Sequence, residues 1–200
     1  MVIDVGADHG LSSLFLASHN HKVYASEVAK GPFLILNNAV DQHSELKITC
    51  LLMDGLKGLP EDVDTALILG MGGKTIHKIL CDSKDKLSQL NDIIIEPQSN
   101  FEEPIQFLLE NAYINDAGTY IFERHYYPIL RFTKSATKTN YSKNEIRYGP
   151  YPYLHKDENL LKYLDSQLLR LESLESASKK RHEDEIKSLK EVIDDIRKTD

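Results

Sequence analysis

Three acidic residues, Asp8, Glu27 and Asp54, stand where apolar runs of the chain end, and two glycine-rich turns accompany them. The first turn reads Val5-Gly6-Ala7-Asp8-His9-Gly10, and the second Gly70-Met71-Gly72-Gly73-Lys74-Thr75. Glycine lets a ligand reach backbone N–H groups that a Cβ would shield. A carboxylate in such a turn suits a cationic or hydroxyl-rich ligand better than a phosphate. Neither turn is a standard phosphate loop. Asp8 stands where G-x-G-x-x-G needs its second glycine, and the G-x-x-x-x-G-K-S/T spacing is absent. A plain strand–turn–helix connection also explains the first turn, and a solvated charge or an ordinary turn explains Glu27 and Asp54.

The elements that must position these residues read as alternating strands and helices. Val2–Val5 runs into the first turn, and Leu11–Ser18 follows as a helix. Lys22–Glu27 and Lys47–Asp54 read as the second and third strands, with a helix over Phe33–Gln42 between them. Asp64–Leu69 enters the second glycine turn, and Asn91–Gln98 is a fifth strand stopped by Pro97. A helix over Phe101–Asn111 leads to two runs, Ala112–Asp116 and Gly118–Glu123, and then to Tyr126–Phe132, and the last strands read as an antiparallel closing pair. Alternation of this kind predicts an α/β, doubly wound domain with the strand-end chemistry on one sheet edge. In such a sheet the acid about 20 residues past the first loop, here Glu27, takes ribose hydroxyls. Asp54 suits the amino group of an adenine ring.

Residues 133–150 are polar, basic and tyrosine-bearing, and Gly149-Pro150 with Pro152 reads as a break. Beyond it, Leu161, Leu164, Leu168 and Leu171 recur at helical spacing, as do Ile186, Leu189, Ile193 and Ile196. The pattern fails between them, at Glu175, Ser178 and His182, so two antiparallel helices explain it better than one rod. The expected organisation is a catalytic domain over 1–150 and a coiled-coil helical hairpin over 151–200. Such a tail packs either on itself or on a partner, and a monomer is expected ahead of an obligate oligomer.

The 200 residues carry a net charge of −7, unevenly distributed. Residues 1–123 hold 18 Asp and Glu against 8 Lys and Arg, whereas residues 124–147 hold 6 against Glu145 alone. Arg124, Arg131, Lys134 and Lys138 in that strip, interleaved with Tyr126, Tyr127 and Phe132, suit phosphates and stacked bases. About half of those aromatics are expected in the core instead. Cys50 and Cys81 suggest no disulfide framework, no leader is evident, and no apolar run is long enough to span a membrane. Those features fit a reducing cytoplasm. The eight histidines lack ligand spacing, so no metal site is expected.

Two sets of readings remain. One is a nucleotide-binding, RNA-binding or assembly protein with a helical arm. The other is a class I methyltransferase using S-adenosyl-L-methionine, because acids near the loop suit a sulfonium better than a dinucleotide's phosphates. Val2–His9, Ala25-Ser26-Glu27-Val28-Ala29-Lys30-Gly31-Pro32, Asp54-Gly55-Leu56, Gly70-Met71-Gly72-Gly73 and Tyr148-Gly149-Pro150 together resemble the TrmK family of bacterial tRNA (adenine(22)-N1)-methyltransferases. The resemblance spans nearly the whole chain. It implies a Rossmann-like domain with a C-terminal coiled coil, S-adenosyl-L-methionine as cofactor, and methylation of N1 of an adenine in tRNA.

The resemblance carries cofactor contacts onto Gly6, Asp8, His9, Glu27, Asp54, Gly55, Gly70 and Met71, and Asp4, Gly10 and Gly72 in the same turns are expected to join them. Asp8 is the catalytic candidate. Substrate contacts are expected from Pro97, Gln98, Arg124, Arg131, Lys134 and Lys138. The family usually reads Gln-Pro-Asn after the fifth strand, where this chain has Glu96-Pro97-Gln98. Family members also carry a helical segment ahead of the first strand. A methyltransferase with another substrate would share every cofactor residue.

Overall fold

Runs rich in Val, Ile and Leu, too short and too β-branched for helices, build the centre of the molecule. In the computed structural model they form one seven-stranded sheet in the order β3-β2-β1-β4-β5-β7-β6. The strands are β1 (Val2–Val5), β2 (Val23–Glu27), β3 (Ile48–Leu52), β4 (Thr65–Met71), β5 (Asp92–Pro97), β6 (Tyr113–Glu123) and β7 (His125–Lys134). The structure describes residues 1–137, 139–174 and 181–198. Glu175, Ser178, Lys138, Lys179 and Lys180 therefore lie outside the described residues.

Strands β1 to β5 pair in parallel, so their carboxyl ends share one edge. Helices α1 (Leu11–Ser18), α2 (Lys30–Asp41) and α3 (Gly73–Asp82) make three of the crossovers, and α4 (Glu102–Glu110) follows β5. The main core packs Ile3, Ile68, Ile93 and Ile95 of the sheet against Ile76 and Leu80 of α3 and Ile105 and Leu108 of α4. All eight are 0 % exposed, as expected for parallel strands covered by helices.

Strand β7 runs antiparallel to β5, with Ile95 opposite Leu130 and Asp92 opposite Thr133. The start of β7 therefore lies at the carboxyl edge of β5, and its end at the amino edge. Strand β6 pairs antiparallel with β7 along nearly its whole length, with a bulge between Asn115 and Ala117. The sequence read β6 as two pieces; the bulge lets one strand bend without breaking. The hairpin tip, with Arg124 in the left-handed region at φ 62°, overhangs the carboxyl edge.

The segment read as a break is helical. Helix α5 (Lys143–Tyr148) starts with a capping box: Ser142 Oγ accepts from Glu145 N–H, and the Glu145 carboxylate accepts from Ser142 N–H. Helix α6 (Pro150–Leu154) uses Pro150 at its first position, where no N–H is needed. Proline here opens a helix instead of stopping one. Helices α7 (Glu158–Glu172) and α8 (Glu183–Arg197) then pack against each other. Arg197 pairs with Asp165 at 2.8 Å and Lys190 with Glu172 at 2.7 Å, so the two run antiparallel.

The helices dock onto the outer strand through tyrosines. Tyr120 of β6 stacks on Tyr163 of α7 at 5.1 Å, and its hydroxyl donates to the Tyr148 carbonyl at 3.0 Å. Tyr120 is 1 % exposed, and burial pushes its hydroxyl well above the usual range, so it is a permanent donor at neutral pH. Tyr120→Phe strands the Tyr148 carbonyl and should lower stability by about 1–2 kcal/mol. Urea unfolding followed by circular dichroism checks this, and an unchanged midpoint would remove the hydroxyl from the docking.

Candidate active site

The first turn is built by neighbouring strands. Gly6 N–H and Ala7 N–H both donate to the Ser26 carbonyl of β2, at 2.9 and 3.0 Å. Asp8 N–H donates to Glu27 Oε1 at 2.7 Å, holding Asp8 at φ 51°. That conformation costs a non-glycine residue energy and is kept only where surrounding bonds enforce it. Glu27 is 9 % exposed. No partner for its second carboxylate oxygen appears among the described residues. The Asp8 side chain is largely exposed and its Oδ2 lies 2.9 Å from His9 Nδ1.

Asp4 is deeper than the other acids. It is 3 % exposed and accepts from Ser13 Oγ at 2.7 Å, tying β1 to α1. Burial raises its pKa, and the Ser13 hydrogen bonds only partly oppose this. A folded pKa above the unfolded value gives stability that is full below the ordinary carboxylate range and is lost as pH rises through the elevated value. Asp4→Asn should therefore gain stability over the parent at pH 8, the gain shrinking toward pH 4. Urea midpoints at the two pH values test the sign.

Two cavities adjoin at Gly6. The first, about 220 Å3, runs between the β3 turn and α3 and is lined by Glu27, Met53, Asp54, Gly55, Ile79 and Ser83, among others. Asp54 at its rim is held by Lys57 at 2.5 Å; Lys57 also reaches Asp82 at 3.6 Å, and Asp82 pairs with Lys78 at 2.6 Å. That chain of charges ties the turn after β3 to α3. Ser83 Oγ is the one buried side-chain polar atom without a partner among the described residues. Ser83 is among the residues that line this cavity.

The second cavity is a groove of about 550 Å3 between α1 and the hairpin, lined by Asp4, Asp8, His9, Gly70, Glu96 and Glu123, among others. Gly70 has φ 71°, and a Cβ there would meet only Gln98 Nε2 at 4.0 Å, so this glycine leaves open space. Gly72 and Gly73 differ. A Cβ on Gly73 would strike the Asn100 and Ser99 backbone, and Gly73 N–H donates to the Ser99 carbonyl at 2.6 Å. Part of the second glycine cluster thus serves packing of α3 on the turn after β5. Met71 lies between the cavities, its Sδ–Cε end filling the space beside Gly6. A Cβ on Gly10 would press on Leu36 at 3.0 Å, a packing constraint on the start of α1.

The edge brings together Gly6, Asp8, His9, Glu27, Asp54, Gly55, Gly70, Met71 and Pro97, with Gln98 N–H donating to the Met71 carbonyl at 2.8 Å. It does not gather the basic strip. Arg124 is at the hairpin tip, but Arg131 is bound in mid-strand by both oxygens of Asp116 at 2.9 and 2.7 Å. Lys134 is at the opposite sheet edge, where its ammonium donates to the Ser88 carbonyl. Lys138 lies outside the described residues. Strand direction separates what sequence spacing grouped. Ser83 and Glu96 escaped the sequence reading, since a lone serine carries no signal and Glu96 registered only as a departure from Gln.

Among the described residues no group of three His, Cys, Asp or Glu is placed to hold a metal. No described helix is long and apolar enough to cross a membrane.

A parallel sheet in this order, closed by an antiparallel β7 and carrying acids and glycines at the carboxyl ends of β1 to β4, defines the class I methyltransferase architecture. The chain belongs to the TrmK family, tRNA (adenine(22)-N(1))-methyltransferase, whose model matches residues 2–198. It is similar to the tRNA (adenine(22)-N(1))-methyltransferase of Bacillus subtilis, 30 % identical over 118 residues, 56 % of this chain and 49 % of the relative. The crystal structure of a B. subtilis m1A22 tRNA methyltransferase, TrmK, superposes with a TM-score of 0.74 at 24 % identity, covering 96 % of this chain and 91 % of that one. The TrmK of M. capricolum, solved with S-adenosyl-homocysteine, gives 0.79 at 21 % identity, covering 98 % and 92 %.

Proposed function

We propose that this chain transfers a methyl group from S-adenosyl-L-methionine to N1 of adenine 22 in tRNA, acting as a cytoplasmic monomer without a metal. The observation that carries this is the meeting of two cavities at Gly6, one shaped for a nucleoside and one open to a base. The residues present fit the cofactor. Ser83, whose buried Oγ has no partner among the described residues, lines the first cavity, Glu27 keeps one carboxylate oxygen for ribose hydroxyls, and Asp54 stands at the rim for the adenine amine. The turn from Gly6 to Gly10 and the open Gly70 would leave room for the methionine portion, and Met71 and Gly72 would hold the sulfonium end.

When bound, the cofactor would supply an electrophilic methyl for the adenine N1 lone pair, its sulfur keeping the electrons of the S–C bond and the positive charge passing to the purine. N1 has an in-plane lone pair, so the protein need not create a nucleophile. Its work is alignment and tolerance of the arriving charge. Asp8, held at its backbone by Glu27 and at its carboxylate by His9, is our catalytic candidate for that charge. A Watson–Crick edge is hidden in a pair, so the target base enters the groove unpaired or extruded. The hairpin tip, where Arg124 follows the groove-lining Glu123, overhangs that groove and supplies a phosphate contact.

Glu27→Ala and Asp54→Ala should each weaken binding of S-adenosyl-homocysteine by about 1–3 kcal/mol. Calorimetric titration reads this, with tRNA methylation measured alongside; full affinity in both variants would refute the assigned pocket. Arg124→Glu should lower tRNA affinity and flatten its salt dependence while cofactor binding stays intact. Lys134→Glu, on the far edge, should leave tRNA binding unchanged, and filter binding at two salt concentrations separates the two variants.

A further inference from the structure

Strand alternation gives the hairpin tip two faces. Ile121, Glu123 and Ile129 line the groove, so Phe122 and its cross-strand neighbour Tyr126 stand on the reverse side. The Phe122 and Tyr126 rings lie 4.8 Å apart, and the Tyr126 ring lies 6.0 Å from Tyr163 of α7. Phe122 is 66 % exposed, so this row of rings begins in solvent. It ends at a third cavity, about 450 Å3, between the start of α4, α5 and the α7–α8 pair. Phe101 and Tyr163 give that cavity aromatic walls, Arg147 and Gln167 bring donors, and Glu102 and Glu185 bring acceptors. Arg147 is loosely held, its Nε 3.7 Å from Glu102 and its guanidinium 5.3 Å from the Tyr148 ring.

We propose that this reverse face docks the tRNA strand beside the target nucleotide, with Phe122 and Tyr126 stacking its bases and the cavity receiving one of them. The inference rests on the methyltransferase reading above. A target base turned into the groove leaves its neighbours without their stacking partner. The strand that carries them crosses the tip, where aromatic rings stack with any base. The cavity suits a base edge, which presents donors and acceptors together. Its two carboxylates disfavour a phosphate in the same place. The tip thus divides the strand, with the target on one face and its neighbours on the other.

The test measures tRNA binding to protein loaded with S-adenosyl-homocysteine, by filter binding at two salt concentrations. Phe122→Ala should weaken binding about 5- to 100-fold and leave the salt dependence unchanged, because stacking neutralises no phosphate. Phe122→Leu keeps apolar bulk without a ring face and should lose as much, whereas Phe122→Trp should bind as the parent does. Gln167→Phe, which fills the cavity from α7, should also weaken tRNA binding. All four variants should bind S-adenosyl-homocysteine as the parent does. Parent affinity for tRNA in Phe122→Ala would overturn the docking face, and parent affinity in Gln167→Phe would overturn the part given to the cavity. A parent that sediments as a dimer, with Phe122→Ala a monomer, would assign the face to a second copy and overturn the proposal. Each of those results leaves the methyltransferase reading standing. Absence of N1-methyladenosine with the parent and tRNA would overturn that reading and this inference together.

Discussion

One carbonyl holds the site together. Ser26 O accepts two consecutive N–H groups, from Gly6 and Ala7, and the next residue on the same strand, Glu27, accepts a third from Asp8. Three donors in a row therefore point at β2 and not at solvent, which fixes the turn after β1 across its neighbour. The pairing of β1 with β2, Val5 opposite Ser26, sets that geometry. A slip of one residue would reverse the faces and carry Glu27 away from the loop. The two cavities, the left-handed Asp8 and the position of His9 all follow from this junction.

The groove then depends on a second junction, between β5 and the hairpin. Because β7 is antiparallel to β5, the hairpin must turn over at the carboxyl edge, so the fold itself supplies a wall beside Glu96. The helices after the hairpin hold this wall from behind. Thr119 Oγ1 donates to Asp157 at 2.8 Å, while the same carboxylate caps α7 by accepting from Leu160 N–H. Asn115 does similar work, its amide donating to the carbonyls of Ala117 and Arg131 while its Oδ1 accepts from Tyr151 N–H at 2.7 Å.

Much of this was legible in the residues. Apolar runs ending in acid or glycine located the five parallel strands, and parallel pairing alone brings such ends to one edge. What could not be read depends on direction and on long-range contacts. The strip from Arg124 to Lys134 looks continuous in sequence, yet a ten-residue strand carries its two ends to opposite sides of the sheet. Pro150 resembled a break because proline stops helices in their interior and opens them at the first turn, and only the surrounding backbone decides which applies. Gly73 looked like a ligand glycine, but the turn after β5 occupies the space its Cβ would need. Nothing local to Glu96 shows that its carboxylate accepts from Gly70 N–H, 26 residues earlier.

The docking of the helices on β6 also matters while the chain is being made. Strand β6 ends the sheet, with β7 on one side and α6 and α7 packed against it. Synthesis completes β6 and β7 before α6 and α7 leave the ribosome, so for that interval the hairpin presents an unguarded strand able to pair with another nascent chain. Helices α6 and α7, which touch neither cavity's Gly6 junction, thus stand beside the sheet's outer strand once the chain is complete.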